Sequence, residues 1–254
     1  MLNIVIPMAG AGSRFAKEGY KYPKPLIPIA GVPMIRLIIN NLQPKENHRF
    51  IFICQQTHVE TYGLREKLSA WTPQCEIIGL NGLTEGAACT VLAARDLIDN
   101  QTPLMIANSD QYVDIDINEY LRTMDTEQLD GLIMTMKAND PKWSFVGQNN
   151  QGLVERVVEK EVISDEATVG IYNFRRGCDF VAAADEMIAN NLRVNNEFYV
   201  APAYNQMTKV GRRIGIFNVG KEGDGMYGLG IPADLEFFLK HPVHVKATEI
   251  AAIS

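Results

Sequence analysis

The order of apolar runs constrains this chain more than any other feature. Short runs that read as strands, Asn3–Pro7, Arg49–Cys54, Cys75–Gly79 and Leu104–Asn108, alternate with helical stretches, Met34–Leu42, Val59–Trp71 and Glu85–Ile98. A strand, helix, strand, helix order makes neighbouring strands parallel and covers the sheet with helices. Ligands of such open sheets gather at the carboxyl ends of the strands, so functional residues are expected just past them. The rest of the chain is richer in strand runs: Gly131–Lys137, Phe145–Gln148, Leu153–Glu159, Thr168–Phe174 and Arg213–Val219. Helices are expected there over Ile117–Met124, Asp179–Asn190, Phe198–Val210 and Ala233–Lys240, so this part reads as a mixed-sheet extension.

The first strand ends in a burst of small residues, Ala9-Gly10-Ala11-Gly12-Ser13. Glycine permits positive φ and lets backbone N–H groups approach an anion with no Cβ in the way, as in a phosphate cradle. The dinucleotide fingerprint needs a third small residue where Phe15 stands, and the Walker loop needs a Gly-Lys-Ser/Thr ending that is absent. Instead Arg14 and, further on, Lys24 add mobile positive charge to fixed backbone donors. That combination suits a polyphosphate whose charge develops during reaction. The net charge of −6 argues against a nucleic-acid or anionic-membrane partner, but not against a small anionic substrate. Cys54, Cys75, Cys89 and Cys178 are scattered without a CxxC pair and read as free thiols in a reducing, cytoplasmic setting. The short apolar start reads as a buried strand rather than a leader, and no run approaches the length of a membrane span.

Gly10-x-Gly12-Ser13-Arg14-Phe15, followed by Pro23-Lys24-Pro25-Leu26, resembles the signature of the sugar nucleotidyltransferases, which include glucose-1-phosphate thymidylyltransferases and uridylyltransferases. The resemblance implies an α/β, Rossmann-like GT-A-type three-layer fold, a mainly parallel mixed sheet with a smaller acceptor-side lobe. Residues 1–254 would form one domain, 1–130 mainly for the NTP and 131–254 mainly for the acceptor. It implies an enzyme that condenses an NTP with a phosphorylated acceptor and releases pyrophosphate, in sugar nucleotide and surface polysaccharide synthesis. The implied cofactor is Mg²⁺ or Mn²⁺, and self-association is left open. Arg14 would hold the β- and γ-phosphates and Lys24 the α-phosphate, with Ala9, Gly10, Ala11, Gly12 and Ser13 lining the nucleotide.

In "NGLTEGAACTVLAARDLI" Thr84 is expected to cap a helix with Glu85 in its first turn, and the resemblance puts Gly86 and Ala87 against the base. Asp110, at the end of "LMIANSD", matches the family's metal-binding aspartate, and Mg²⁺ prefers such oxygen ligands. Glu159 and Lys160 match an acid that contacts acceptor hydroxyls and a lysine on the acceptor phosphate. Gly170 would leave room for the acceptor, and Glu197 would be a further acceptor-side acid. The clearest departure is Gly228, which aligns with the family's second metal-binding aspartate; Asp224 is the nearest substitute as a metal ligand. Asp234 reads as a first-turn helix acid after Pro232, Trp143 as core in preference to acceptor wall, and His241–His244 as a surface loop. Three other readings stay open. One is a cytidylyltransferase for a phospho-amino-alcohol. Another is a GT-A glycosyltransferase using Asp114-Ile115-Asp116. The third is a nucleotide-sensing protein without turnover.

Overall fold

A computed structural model describes residues 1–253. The apolar runs become strands β1 (Leu2–Met8), β2 (Pro28–Ile29), β3 (Val32–Pro33), β4 (His48–Gln55), β5 (Glu76–Leu80), β6 (Leu104–Ala107) and β7 (Gln111–Val113). They continue as β8 (Gly131–Lys137), β9 (Ser144–Gln148), β10 (Val154–Glu159), β11 (Glu166–Phe174), β12 (Ile214–Glu222) and β13 (Gly225–Gly228). Among the described residues eleven of these form one sheet, with the order β5-β4-β1-β6-β11-β8-β12-β13-β7 and with β9 and β10 branching from β11. Strands β5, β4, β1 and β6 run parallel, as the alternating pattern requires. Strand β11 then reverses direction against both β6 and β8.

Helices cover both faces. They are α1 (Ser13–Lys17), α2 (Met34–Leu42), α3 (Gln56–Tyr62), α4 (Leu64–Trp71), α5 (Ala87–Leu92), α6 (Arg95–Ile98), α7 (Ile117–Thr126), α8 (Gly177–Ala189), α9 (Tyr204–Lys209), α10 (Pro232–Lys240) and α11 (Val243–Ile253). Strand side chains alternate between faces, and here both faces are dry. Ile4, Ile6, Phe50 and Phe52 point into one core with Leu37 of α2, Tyr120 of α7 and Leu235 of α10. Val5, Ile51 and Ile53 point into the other with Val91 of α5 and Phe180 of α8. This is the three-layer α/β fold expected from the sequence.

The differences are local. The helix expected over Val59–Trp71 is two helices, because Gly63 adopts a left-handed conformation (φ 57) between α3 and α4. The stretch expected as a helix from Glu85 starts only at Ala87 and breaks between α5 and α6. Thr84 does not cap it: its hydroxyl donates to the Gly86 carbonyl (3.0 Å) and meets Thr90 Oγ1 (2.6 Å). Phe198–Val210 opens irregularly, with a 3₁₀ turn at Ala201–Ala203 before α9. After His241 the chain is helical again, since Pro242 falls in the break between α10 and α11, where it removes no helical hydrogen bond.

Candidate active site

The carboxyl ends of β1 and β6 lie side by side, and the site starts there. Beyond β1, Ala9–Gly12 turns into the short α1, with Gly12 left-handed (φ 59) at its start. Gln55, at the end of β4, donates to the Ala9 carbonyl and, at 3.3 Å, to the Gly82 carbonyl, which fastens the glycine loop to the end of the sheet. Nothing within 4 Å would meet a Cβ at Gly10, so this stretch borders open space. Lys24 opens the 3₁₀ turn Lys24–Leu26, and its Nζ reaches Asp110 Oδ2 at 2.8 Å, both side chains about a quarter exposed. Two residues 86 apart in the chain, each singled out by a sequence motif, thus meet as an ion pair.

Two cavities adjoin at Ala87 and Tyr199, and Asp110 lines the second of them. The first, of about 300 Å³, is lined by Ala9, Gly10 and Ala11 on one side and by Thr84, Gly86 and Ala87 on the other. Gly86 is fixed as glycine by its backbone (φ 120) and by its neighbour. A Cβ there would lie 2.6 Å from both Phe198 N and Phe198 O. The two segments are laced together by Ala88 N–H to Phe198 O (2.9 Å) and Phe198 N–H to Glu85 O (2.8 Å).

The second cavity, of about 340 Å³, lies along β9, β10 and β11 and has Arg14, Asp110, Glu159, Lys160 and Gly170 in its wall. Glu159 is buried and accepts from Ser144 Oγ at 2.5 Å. Burial pushes its carboxyl pKa up, while the Ser144 hydrogen bond and the Lys160 charge pull it back down. Lys160 adopts a left-handed backbone (φ 61), donates to the Lys142 carbonyl and sits 5.7 Å from the Tyr199 ring centre. At Gly170 (φ 82) β11 slips its register against β8, four steps from Thr168 to Tyr172 facing two from Thr135 to Ile133. A Cβ at Gly170 would collide with the amides of Asn108 (2.3 Å) and Gln111 (2.6 Å). An adjoining hollow of about 270 Å³ shares Arg14, Asp110 and Lys160 and extends to Gly228, Gly230 and Asp234.

The structure therefore gathers the glycine loop, Arg14, Lys24, Gly86, Ala87, Asp110, Glu159, Lys160 and Gly170 around one cleft. Two expected residues fall elsewhere. Glu197 lines the glycine-loop cavity and not the one that holds Glu159 and Lys160. It bonds Tyr199, whose hydroxyl pKa burial and that acid push up to about 12. Asp224 sits on the turn between β12 and β13, 79 % exposed and 4.0 Å from Lys221, and lines neither cavity. Asp234 of α10 faces the cleft instead, its carboxyl pKa raised by burial and by Glu222 and Asp110. Trp143, expected in the core, forms cleft wall beside Lys142, whose Nζ lies 4.9 Å from its ring centre. Tyr199 borders both cavities and carried no motif that could have exposed it.

The donors at the join are carboxylate oxygens, the set that suits Mg²⁺ rather than a softer metal. Asp110 already carries a cation, the Lys24 ammonium, which shows that its carboxylate accommodates positive charge. No group of three or more His, Cys, Asp or Glu stands ready for a metal among the described residues, so waters or substrate oxygens would complete the shell of any such ion. The Asp114-Ile115-Asp116 string is occupied elsewhere: Asp114 takes Lys246 at 2.5 Å and Asp116 caps α7 through Asn118 N–H at 2.9 Å. His241 and His244 likewise serve the α10–α11 corner, His241 Nδ1 accepting from Val243 N–H at 3.2 Å.

A three-layer α/β sheet with a glycine loop, a lysine and an acid at its carboxyl edge is the frame of a phosphate-handling protein. The chain belongs to the nucleotidyl transferase family, whose sequence profile matches residues 4–200. Its structure is similar to that of the nucleoside-diphosphate-sugar pyrophosphorylase from Vibrio cholerae RC9, with a TM-score of 0.80 and 27 % identity, covering 93 % of this chain and 99 % of that one. It is 25 % identical over 122 residues to the bifunctional protein GlmU of Methanocaldococcus jannaschii, covering 48 % of this chain. It is 24 % identical over 189 residues to the mannose-1-phosphate guanyltransferase of Gibberella zeae, covering 67 % of this chain. The matches span 28 % and 48 % of the lengths of these two curated relatives.

Proposed function

We propose that this protein joins an NTP to a phosphorylated acceptor, a sugar 1-phosphate, giving a nucleotide-activated sugar and pyrophosphate. The observation that carries the reading is the Lys24–Asp110 pair at 2.8 Å, whose aspartate lines the Glu159–Lys160 cavity, which adjoins the glycine-loop cavity at Ala87 and Tyr199. An oxygen of the acceptor phosphate attacks the α-phosphorus, and the bond from that phosphorus to the bridging oxygen of the β-phosphate breaks. Pyrophosphate leaves with the electron pair. The nucleophile is already anionic, so no general base is needed, and positioning and charge stabilisation supply the rate.

In this scheme the backbone N–H groups of Ala9–Ser13 hold the departing pyrophosphate, helped by Arg14 from the wall of the second cavity. Lys24 leaves Asp110 for the α-phosphate as charge develops there. Lys160 takes the acceptor phosphate, and Glu159 accepts from the acceptor's hydroxyls at the floor of its cavity. Mg²⁺ or Mn²⁺ on Asp110 would screen the two phosphates from one another. Glu197 belongs in this scheme to the nucleotide side, through Tyr199. A cytoplasmic role in sugar-nucleotide supply for polysaccharide or glycoconjugate synthesis follows from the substrate class. No described helix is long and apolar enough to cross a membrane.

The test is a pyrophosphate-release screen of ATP, CTP, GTP, UTP and dTTP against hexose 1-phosphates and phospho-amino-alcohols. Release with one NTP and a sugar 1-phosphate supports the reading. Release only with CTP and a phospho-amino-alcohol would move it to the cytidylyl alternative. Nucleoside diphosphate without pyrophosphate would point to glycosyl transfer.

A further inference from the structure

If Asp110 is the metal carboxylate of the proposed reaction, it is a thin hold by itself. Mg²⁺ is generally bound by one or two carboxylates together with substrate phosphates. The acid expected to help, Asp224, is exposed and turned to Lys221. A different carboxylate reaches the cavity that Asp110 lines. Asp234 arrives from the first turn of α10, on the far side of a short loop that follows β13.

That loop is shaped for it. Gly228 ends β13 and pairs with Gln111, the residue after Asp110. A Cβ at Gly228 would lie 3.0 Å from Asp234 Oδ2, and the three nearest atoms it would meet all belong to Asp234. At Gly230 a Cβ would lie 2.8 Å from Asp110 Oδ2. Leu229 N–H, between these two glycines, donates to the Asp110 carbonyl at 2.8 Å and pins the loop. Two carboxylates from distant elements therefore abut one stretch of bare backbone. A third feature marks the place as prepared for a ligand. Gln111, 8 % exposed and lining the same cavity, has a buried Nε2 with no hydrogen-bond partner, a donor beside Gly170 that would serve a substrate oxygen next to the cation rather than the cation itself. Buried polar groups without partners are rare in finished structures and tend to mark functional positions.

We propose that Asp234 is the second carboxylate ligand of the divalent cation, acting with Asp110 and reaching from α10 into the space left open by Gly228. This rests on the reading of Asp110 as the metal carboxylate. The donor set is oxygen only, and the Leu229 N–H bond to the Asp110 carbonyl ties the loop that leads to Asp234 to the residue it would act with.

The experiment is a titration of the free protein with MnCl₂, followed by electron paramagnetic resonance of unbound Mn²⁺, with no nucleotide and no turnover. Asp234→Asn and Asp110→Asn should each weaken Mn²⁺ binding at least 10-fold, while Asp224→Asn should leave it unchanged. Asp234→Ala should behave like Asp234→Asn. The double variant G228D/D234A should recover binding to within a few-fold, because removing the Asp234 side chain clears the only atoms that crowd a Cβ at position 228. That recovery also shows that loss in the single variants was not misfolding. Normal Mn²⁺ binding in Asp234→Asn alongside loss in Asp110→Asn would overturn this proposal and leave the proposed reaction standing. Normal binding in both would bring down the assignment of Asp110 as well.

Discussion

On the proposed function, the nucleotide and acceptor sides of the cleft are made of different material. The nucleotide side is largely backbone: a glycine loop after β1, and the stretch before α5 laced to Phe198 by main-chain hydrogen bonds. The acceptor side is largely side chain: Glu159 with Ser144, Lys160 with the Lys142 carbonyl, and Trp143 beneath Lys142, carried on antiparallel strands. A wall of backbone offers fixed donors and little room for variation. A wall of side chains can be re-cut for another acceptor without moving the chain. A polyphosphate common to all NTPs suits the first, and a variable acceptor the second.

Substitutions can break or sharpen that contrast. The largest effect belongs at the join: Lys24→Ala and Asp110→Asn should each lower kcat by roughly 100-fold or more, since losing a preorganised charge at the reacting centre costs about 3 kcal/mol. Steady-state kinetics with unchanged thermal unfolding would place the loss in chemistry. Next, Gly86→Ala should damage the nucleotide wall as structure. Its Cβ would press on the Phe198 backbone in a conformation that side chains rarely adopt. Overpacking and strain together cost about 3 kcal/mol, lowering Tm by roughly 6–12 °C in calorimetry. If Gly86→Ala melted normally, the backbone wall would not be as rigid as described.

Lys160→Ala should be milder and one-sided. KM for the acceptor should rise about 10-fold with KM for the NTP spared, because a charge met in both ground and transition states contributes uniform binding. A defect confined to NTP affinity would erase the division between the two walls. The smallest effect concerns Glu159. Its folded pKa is raised by burial, so the folded state holds its proton more tightly than the unfolded state does. Stability from this group is therefore complete below the unfolded value near 4.5 and falls as pH rises through that value towards the folded pKa. Thermal unfolding of Glu159→Gln against the parent should show the glutamine variant gaining relative stability from about pH 4 upward. A difference that stayed flat with pH would mean that Glu159 is better solvated than its burial indicates.

Much of the fold is legible in the sequence, for physical reasons that differ by region. Strands covered on both faces are continuous apolar runs, so β1, β4, β6 and β8 stand out from composition alone. Glycine-loop chemistry is local, and Gly10 through Arg14 with Lys24 fall within one short stretch. What stayed hidden depends on contacts across the fold. Strands β7 and β13 are short, and their pairing exists only because the two meet far apart in sequence. Asp234 carried the pattern of a first-turn helix acid, which it also is, and only the neighbouring Gly228 shows what its carboxylate faces. Trp143 reads as core by residue type, and the sheet places it at the edge where core becomes cleft wall.

The ion pair between Lys24 and Asp110 makes the resting protein its own competitor. A divalent cation that arrives alone must evict an ammonium held at 2.8 Å, with no new anion offered to the displaced lysine. One that arrives already bound to a nucleotide brings the phosphate to which that lysine can transfer, so the eviction and the replacement happen in one exchange of counter-ions. If Asp110 takes the divalent cation of the proposed reaction, charge neutrality makes the cation bind more tightly with the nucleotide present than alone.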